Sequence, residues 1–355
     1  MTIFDHKLLW GLLPICQLLA TLPAFGACPA GTTELRPNVR ALPPREIAML
    51  NDTTMKFSAT SWNAGKGKLE IVPRNPFTDP TGTTRQPVDQ RIYCSDGSNY
   101  LRPAGNAEYH PTHNHVHFND YANYILEEDT ASPQNPRKGT KTTFCIMDTT
   151  GVNAQLNRAS ASGAFAWCPT QEPGFDKQGM SVGWGDTYHS GLSGQSIAIG
   201  DLAPGMYRLR HVFDPKSLLR EMNEGDNESC RRVEIGDGGN GRTVADRGPC
   251  TPVPVPRIDS ISRATQPHNT CKTLTIFGAN LVPELRVTFV GGTGPIPNMK
   301  KTTFVAAGNY IKGTVCVPRA SNGNLGSSPV WDVRVSAVYG GYATATTADL
   351  FRVTP

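Results

Sequence analysis

The chain has 355 residues, 34 Lys and Arg against 30 Asp and Glu, a net charge of +4 and 18% charged side chains. That balance excludes a coiled coil, an all-helical bundle and a charged disordered chain, and charge this weak and scattered excludes a nucleic-acid surface. With 35 glycines and 29 prolines beside abundant Thr and Val, the composition points to β-structure with many turns.

Residues 1–27 read as an export signal. Lys7 precedes an apolar stretch, Leu8–Leu22, broken by Gly11, Pro14 and Gln17, and small residues follow at Ala24, Gly26 and Ala27. The stretch is short of the ~20 apolar residues of a membrane-spanning helix. Cleavage after Gly26 or Ala27 brings Cys28 to the start, so a lipid anchor is one alternative; a buried N-terminal helix is another. An exported chain is secreted, periplasmic or at the cell surface, where thiols oxidise. Of nine cysteines, Cys16 leaves with the signal and eight remain. Cys145 and Cys168 bracket one loop, and Cys271 and Cys316 another. The sequence leaves Cys28, Cys94, Cys230 and Cys250 unassigned. No C-x-x-C occurs, which argues against a zinc ribbon or a thioredoxin-type site.

Residues 28–235 form a series of short β-like segments: Met55–Trp62, Lys68–Val72, Val116–Leu126, Thr142–Met147, Ser196–Ile199 and Tyr207–Val212. Asp201–Gly205 is a turn, and only Pro215–Glu221 looks helical. Residues 236–256, Gly-rich and then Pro-rich, read as a linker. Residues 257–355 form a second unit with strand candidates at Thr273–Phe277, Arg286–Val290, Tyr310–Val317, Trp331–Val338 and Leu350–Val353, a spacing that suggests a β-sandwich. Its segments Pro256-Arg257-Ile258, Leu274–Leu281 and Val287-Thr288-Phe289 resemble the immunoglobulin-like IPT/TIG family. Such modules serve as spacers or bind a surface or protein partner, and no catalytic constellation is visible there. The expectation is an all-β chain whose second unit is an immunoglobulin-like β-sandwich.

Four of the eight histidines fall between Tyr109 and Phe118: His110, His113, His115 and His117. The last three stand at i, i+2 and i+4, so on a β-strand they project from one face and can converge on an ion. Three neutral imidazoles suit Cu(II) or Zn(II); the first would be redox, the second hydrolytic or structural. Spacing does not choose between them, although His-Glu-x-x-His is absent. His110 is out of phase, either supporting the ligands or lying in a loop. The bland reading is a solvated His-rich strand, and it fits isolated histidines better than four so close.

Over Thr53–Ile235 the sequence resembles the lysyl oxidase family of copper-dependent amine oxidases. The resemblance rests on motifs in order: Phe57–Asn63, Gly67–Ile71, His113–His117 followed by Tyr121–Leu126, Lys141–Cys145 with Asp148, Gln178–Gly183 followed by Asp186-Thr187-Tyr188, and Gln195–Ile199 with Leu202–Leu209. It implies an all-β, β-sandwich catalytic domain, residues 28–235. It also implies copper(II) on His113, His115 and His117, and lysyl tyrosylquinone made from Lys141 and Tyr188. The cross-link needs a Lys amine whose pKa burial has lowered. Asp186 would be the general base, with its pKa raised by desolvation. The implied reaction uses O₂ to convert a primary amine, a small amine or peptidyl lysine, to an aldehyde, releasing ammonia and H₂O₂. Thr112, Trp184 and Gly185 depart from the animal pattern, as in a microbial-type member, so the animal disulfide scheme is not carried over.

Glu221–Glu228 is rich in carboxylates and amides around a Gly turn. Glu221, Asn223, Asp226 and Asn227 would suit calcium, as in some family members; a solvated acidic loop is equally compatible. The principal rival for the whole chain is a catalytically inactive metal-binding surface or adhesion protein, which retention of Lys141, Tyr188 and Asp186 argues against. A zinc hydrolase on a β-scaffold is a third reading and lacks a nearby Glu base.

Overall fold

The computed structural model describes residues 26–78, 80, 84–110, 114–168, 177–251, 255–305, 307–337 and 344–355. The export signal as far as Phe25, with Cys16, and His113 lie outside the described residues. The architecture is all-β, 53% strand and 1% helix. No described helix is long and apolar enough to cross a membrane.

Residues 34–249 build three sheets of seven, six and five strands. The alternation that makes them is plain in Gly205–Phe213: Tyr207, Leu209, His211 and Phe213 are buried, while the residues between them are more exposed. Thr54–Asn63 is buried on both faces from Phe57 onward, as a strand enclosed by other layers must be. One edge of it pairs with Trp184–Tyr188, setting Asp186 opposite Ser61 and Tyr188 opposite Ala59. Gly185 sits where a Cβ would meet Trp62 Cβ at 2.9 Å and Ser61 O at 3.0 Å, which explains a glycine within this strand. The larger apolar core of the group includes Met55, Phe57, Phe118, Tyr124, Phe144 and Phe213, and a smaller cluster is formed by Leu42, Trp62, Val152, Leu156 and Val182.

Several expectations need correction. Val116–Leu126 is two strands, His115–Phe118 and Ala122–Glu128, separated where Asp120 is left-handed (φ 58°). Thr142–Met147 is extended but forms no ladder. Its peptide groups are satisfied one at a time by different neighbours: Phe144 by Phe118, Ile146 by the Gln178 side chain and by Gly179 N. Pro215–Glu221 is not helical. Asp214 (φ 42°) and Ser217 (φ 50°) break the run, and the Asp214 carboxylate accepts from Leu218 and Leu219 N–H. The Gly-rich start of the expected linker is a hairpin: Arg242–Pro249 pairs with Glu228–Asp237 across a turn closed by Gly238 N to Gly241 O at 2.8 Å. Cys145–Cys168 and Cys271–Cys316 are bonded as expected; the unassigned four form Cys28–Cys94 and Cys230–Cys250.

Residues 257–354 form two four-stranded sheets around a second core containing Leu274, Ile276, Val287, Val315, Val333 and Phe351. One edge strand of each sheet, Leu285–Val290 and Asn298–Phe304, meets residues 153–157 of the first group. Asn153 Nδ2 donates to Pro283 O (2.7 Å) and Leu285 O (3.0 Å). Thr302 N donates to Gln155 O, and Asn157 N to Thr302 O. Unpaired edge groups are thereby covered. Nearby, the buried Glu284 carboxylate accepts from Arg40 (2.6 Å) and from Trp62 Nε1 (3.3 Å).

Candidate active site

His115–Phe118 pairs with the end of Asn99–His110, setting His115 opposite His110. The expected three-histidine face is therefore shorter than one continuous strand: Asn114 is left-handed (φ 53°), and the extended run begins at His115. Along that run His115 and His117 share a face. Their Nε2 atoms stand 2.8 Å apart. His117 is buried, and its Nδ1 meets Thr143 Oγ1 at 3.1 Å. If that nitrogen carries the proton, Nε2 presents its lone pair, which is how a supporting hydrogen bond orients an imidazole ligand. His110 ends a strand and is not a loop residue. Its ring stacks on His117 at 4.3 Å between centroids, and its Nε2 lies 3.1 Å from Glu108 Oε1 and 3.4 Å from Thr143 Oγ1.

His115 and His117 line a cavity of about 390 Å³ together with Lys141, Met147, Cys168, Asp186, Tyr188 and Leu192. Lys141 Nζ lies 5.1 Å from the centre of the Tyr188 ring and 5.1 Å from that of Phe144. Burial lowers the Lys141 pKa despite the opposing pull of Asp186. Tyr188 is held edge-on against Phe144 (4.7 Å), and its hydroxyl donates to Cys145 O at 2.9 Å. Burial, and then the nearby Asp186 charge, push its phenol pKa well up.

Asp186 shares the strand Trp184–Tyr188 with Tyr188, two residues on, and both reach the cavity. It does not cap a turn. It is 2% exposed, and burial raises its pKa well above the ordinary carboxylate range. The Met147 N–H donates to it, while its Oδ2 has no partner among the described residues. A desolvated carboxylate with an uncommitted oxygen is suited to accept a proton from a bound molecule. Beneath this strand pair, Ser61 Oγ meets His211 Nε2 at 3.2 Å in the core. Asp148 braces the neighbouring loop, its carboxylate accepting from Ala164 N, Phe165 N and both Ser181 donors.

The acidic turn only partly matches expectation. Glu221 and Asn227 come together, with Asn227 Nδ2 donating to Glu221 Oε1 at 3.1 Å. Asn223 Oδ1 instead accepts from Gly225 N, and Asp226 pairs with Arg40 (2.6 Å) and Asn38 (3.0 Å). The carboxylates that converge are Asp214, Glu221 and Glu224, with ligand atoms within 4.8 Å of one another. Asp214 comes from a different strand end, so spacing within the acidic run could not include it. Thr143 and Met147 were also missed; their phase relative to Lys141, an even number of residues on, was the available signal.

Residues 89–238 match the family model described as lysyl oxidase. Human lysyl oxidase homolog 1 is 29% identical over 134 residues, 37% of this chain and 21% of that protein. Chicken protein-lysine 6-oxidase is 29% identical over 140 residues, 39% of this chain and 30% of that protein. The porcine protein-lysine 6-oxidase is also 29% identical over 140 residues, 39% of this chain and 51% of that protein. The chain thus spans between about a fifth and a half of these relatives.

Proposed function

We propose that this chain is an exported copper- and quinone-dependent oxidase that converts primary amines, peptidyl lysine among them, to aldehydes with release of ammonia and H₂O₂. The observation that carries the reading is the placement of Lys141 Nζ 5.1 Å from the Tyr188 ring, in the cavity that also holds His115, His117 and Asp186. The match to lysyl oxidase, and the activity named for the protein-lysine 6-oxidases, support it from a separate direction.

The residues fit the cofactors. Two imidazole nitrogens 2.8 Å apart, one ring braced by Thr143, suit copper, with His113 as the third ligand. A lysine amine made less basic by burial, beside a tyrosine ring, suits the cross-link of lysyl tyrosylquinone. Copper and quinone together supply the electron sink that side chains lack. The chain does the rest. Lys141 and Tyr188 would furnish the quinone itself, Met147 N–H orients Asp186, and Asp186 would accept the proton from the carbon bearing the amine. Leu192 and Cys168 line the cavity beside it.

We also read Asp214, Glu221, Glu224 and Asn227 as a calcium site, and residues 257–355 as an immunoglobulin-like unit. The test of the main reading is mass spectrometry of copper-loaded, air-exposed protein after phenylhydrazine. A derivatised species joining the Lys141 and Tyr188 peptides is expected. Two unmodified peptides from folded, fully loaded protein would overturn the oxidase in favour of a metal-binding surface protein.

A further inference from the structure

The cavity that holds Lys141, Asp186 and Tyr188 also contains a thioether. Met147 lines it, half-buried, and no part of the amine chemistry falls to its sulfur. Its main-chain N–H donates to Asp186, and its Sδ lies 3.6 Å from Cys168 Sγ in the Cys145–Cys168 bridge. The other described methionines are placed differently. Met55, Met180 and Met299 are at most 1% exposed, and Met49 packs against the core. Met206 and Met222 are 40% and 45% exposed and do not line the cavity.

We propose that Met147 is the residue oxidised by the protein's own peroxide, and that its conversion to the sulfoxide ends turnover. The inference rests on the proposed amine oxidation, which supplies the H₂O₂. In the step, the sulfur lone pair attacks one peroxide oxygen and the O–O bond breaks. The second oxygen leaves as water, taking up the protons of the peroxide. The thioether loses two electrons and the peroxide gains them. A methionine thioether is readily oxidised in this way, whereas Cys168 is already in a disulfide. Peroxide formed in the cavity meets Met147 before it reaches Met206 or Met222. The sulfoxide adds a polar oxygen to a side chain packed against a disulfide sulfur. The backbone of the same residue holds Asp186, so repacking there moves the proton acceptor relative to Lys141 and Tyr188.

The experiment uses the full copper-loaded chain turning over n-butylamine in air, with excess catalase to destroy peroxide that escapes. Ammonia release and residual activity are followed together, and tryptic peptides are mapped by tandem mass spectrometry. Arg137 and Lys138 separate the Met147 peptide from that of His115 and His117. The expected result is one added oxygen on Met147, growing in step with the loss of activity, with Met206 and Met222 unmodified. A bolus of H₂O₂ on copper-free protein should reverse that order. Met147→Leu, a volume-conserving change, should release several-fold more ammonia before activity decays. Decay with Met147 unmodified, or oxygen added to His115 or His117 instead, would overturn the proposal while leaving the oxidase standing. Absence of ammonia from folded, copper-loaded protein would overturn the oxidase and, with it, the source of the peroxide.

Discussion

The side-chain amide of Gln155 pairs with the main chain of Val287 as the peptide of a neighbouring strand would: Oε1 accepts from Val287 N, and Nε2 donates to Val287 O, both at 2.7 Å. Val287 is 1% exposed, so neither group has water to fall back on. Gln155→Ala should therefore cost about 2–6 kcal/mol, since it leaves two groups unpaired at roughly 1–3 kcal/mol each. Denaturant unfolding of the full chain measures this directly. A midpoint equal to that of the parent chain would mean the pairing contributes nothing.

His211 is a second buried polar group with a measurable consequence. Burial, only partly offset by Leu42 O, holds its pKa down to about 4, against an ordinary value of 6.5. Between those values the unfolded chain binds a proton that the folded chain refuses, so stability falls as pH drops through that window. The full shift corresponds to about 3 kcal/mol at ~1.4 kcal/mol per pKa unit. His211→Gln removes this contribution, and its unfolding free energy should decline less between pH 7 and pH 4. Equal declines for the two proteins would contradict the assignment.

Asp186 sets the acid limb of the proposed reaction. Its carboxyl is raised by burial and must lose its proton before it can accept one. Initial rates of ammonia release should rise with pH through an ionisation well above that of an ordinary aspartate. Asp186→Asn should lower the rate by about 10²–10⁴-fold, the usual range for a lost general base, and remove that limb. A profile that stays flat into the ordinary carboxylate range would exclude Asp186 from this role.

Thr143 acts through a histidine that the proposed reading gives to the metal. Its hydroxyl lies 3.1 Å from His117 Nδ1, and Thr143→Val keeps the shape while removing that contact. Copper affinity, measured by competition with a chelator, should weaken about 10–100-fold. His117→Ala should weaken it further.

Calcium should raise the thermal midpoint of the full chain, and a chelator should return it, because a ligand that binds only the folded state stabilises it. Asp214→Asn should blunt the response more than Asn223→Ala, since Asp214 is buried where the three carboxylates converge whereas Asn223 is exposed. Equal responses from the two variants would exclude the carboxylate cluster.

Much of this arrangement could be read from residue order alone. The period-two pattern of Tyr207–Val212 marks a strand and its buried face, and the histidine spacing marks the run that faces the cavity. What escaped reading depends on partners distant in sequence. Thr142–Met147 has the apolar content of a strand, but its neighbours come from separate elements, so no ladder forms. Asp214 joins Glu221 and Glu224 only because the chain doubles back after a strand end. Glycines at 238, 239 and 241 suit a tether or a tight turn equally; the pairing of Arg242–Pro249 with Glu228–Asp237 decides between them. The segment Asn153–Asn157 has no periodicity, because its partners are sheet edges more than a hundred residues away.

That segment also bears on modularity. It leads from Thr150, whose hydroxyl is 2.7 Å from that of Thr187, between Asp186 and Tyr188, to the sandwich edges. A chain cut at residue 256 would leave Asn153, Gln155 and Asn157 facing water on one side and remove the cover from Trp62 and Arg40 on the other. The two halves should therefore melt as one cooperative body. Grafting another β-sandwich onto residues 34–249 would require copying the outward-facing groups of Leu285–Val290 and Asn298–Phe304, and not merely the connecting peptide.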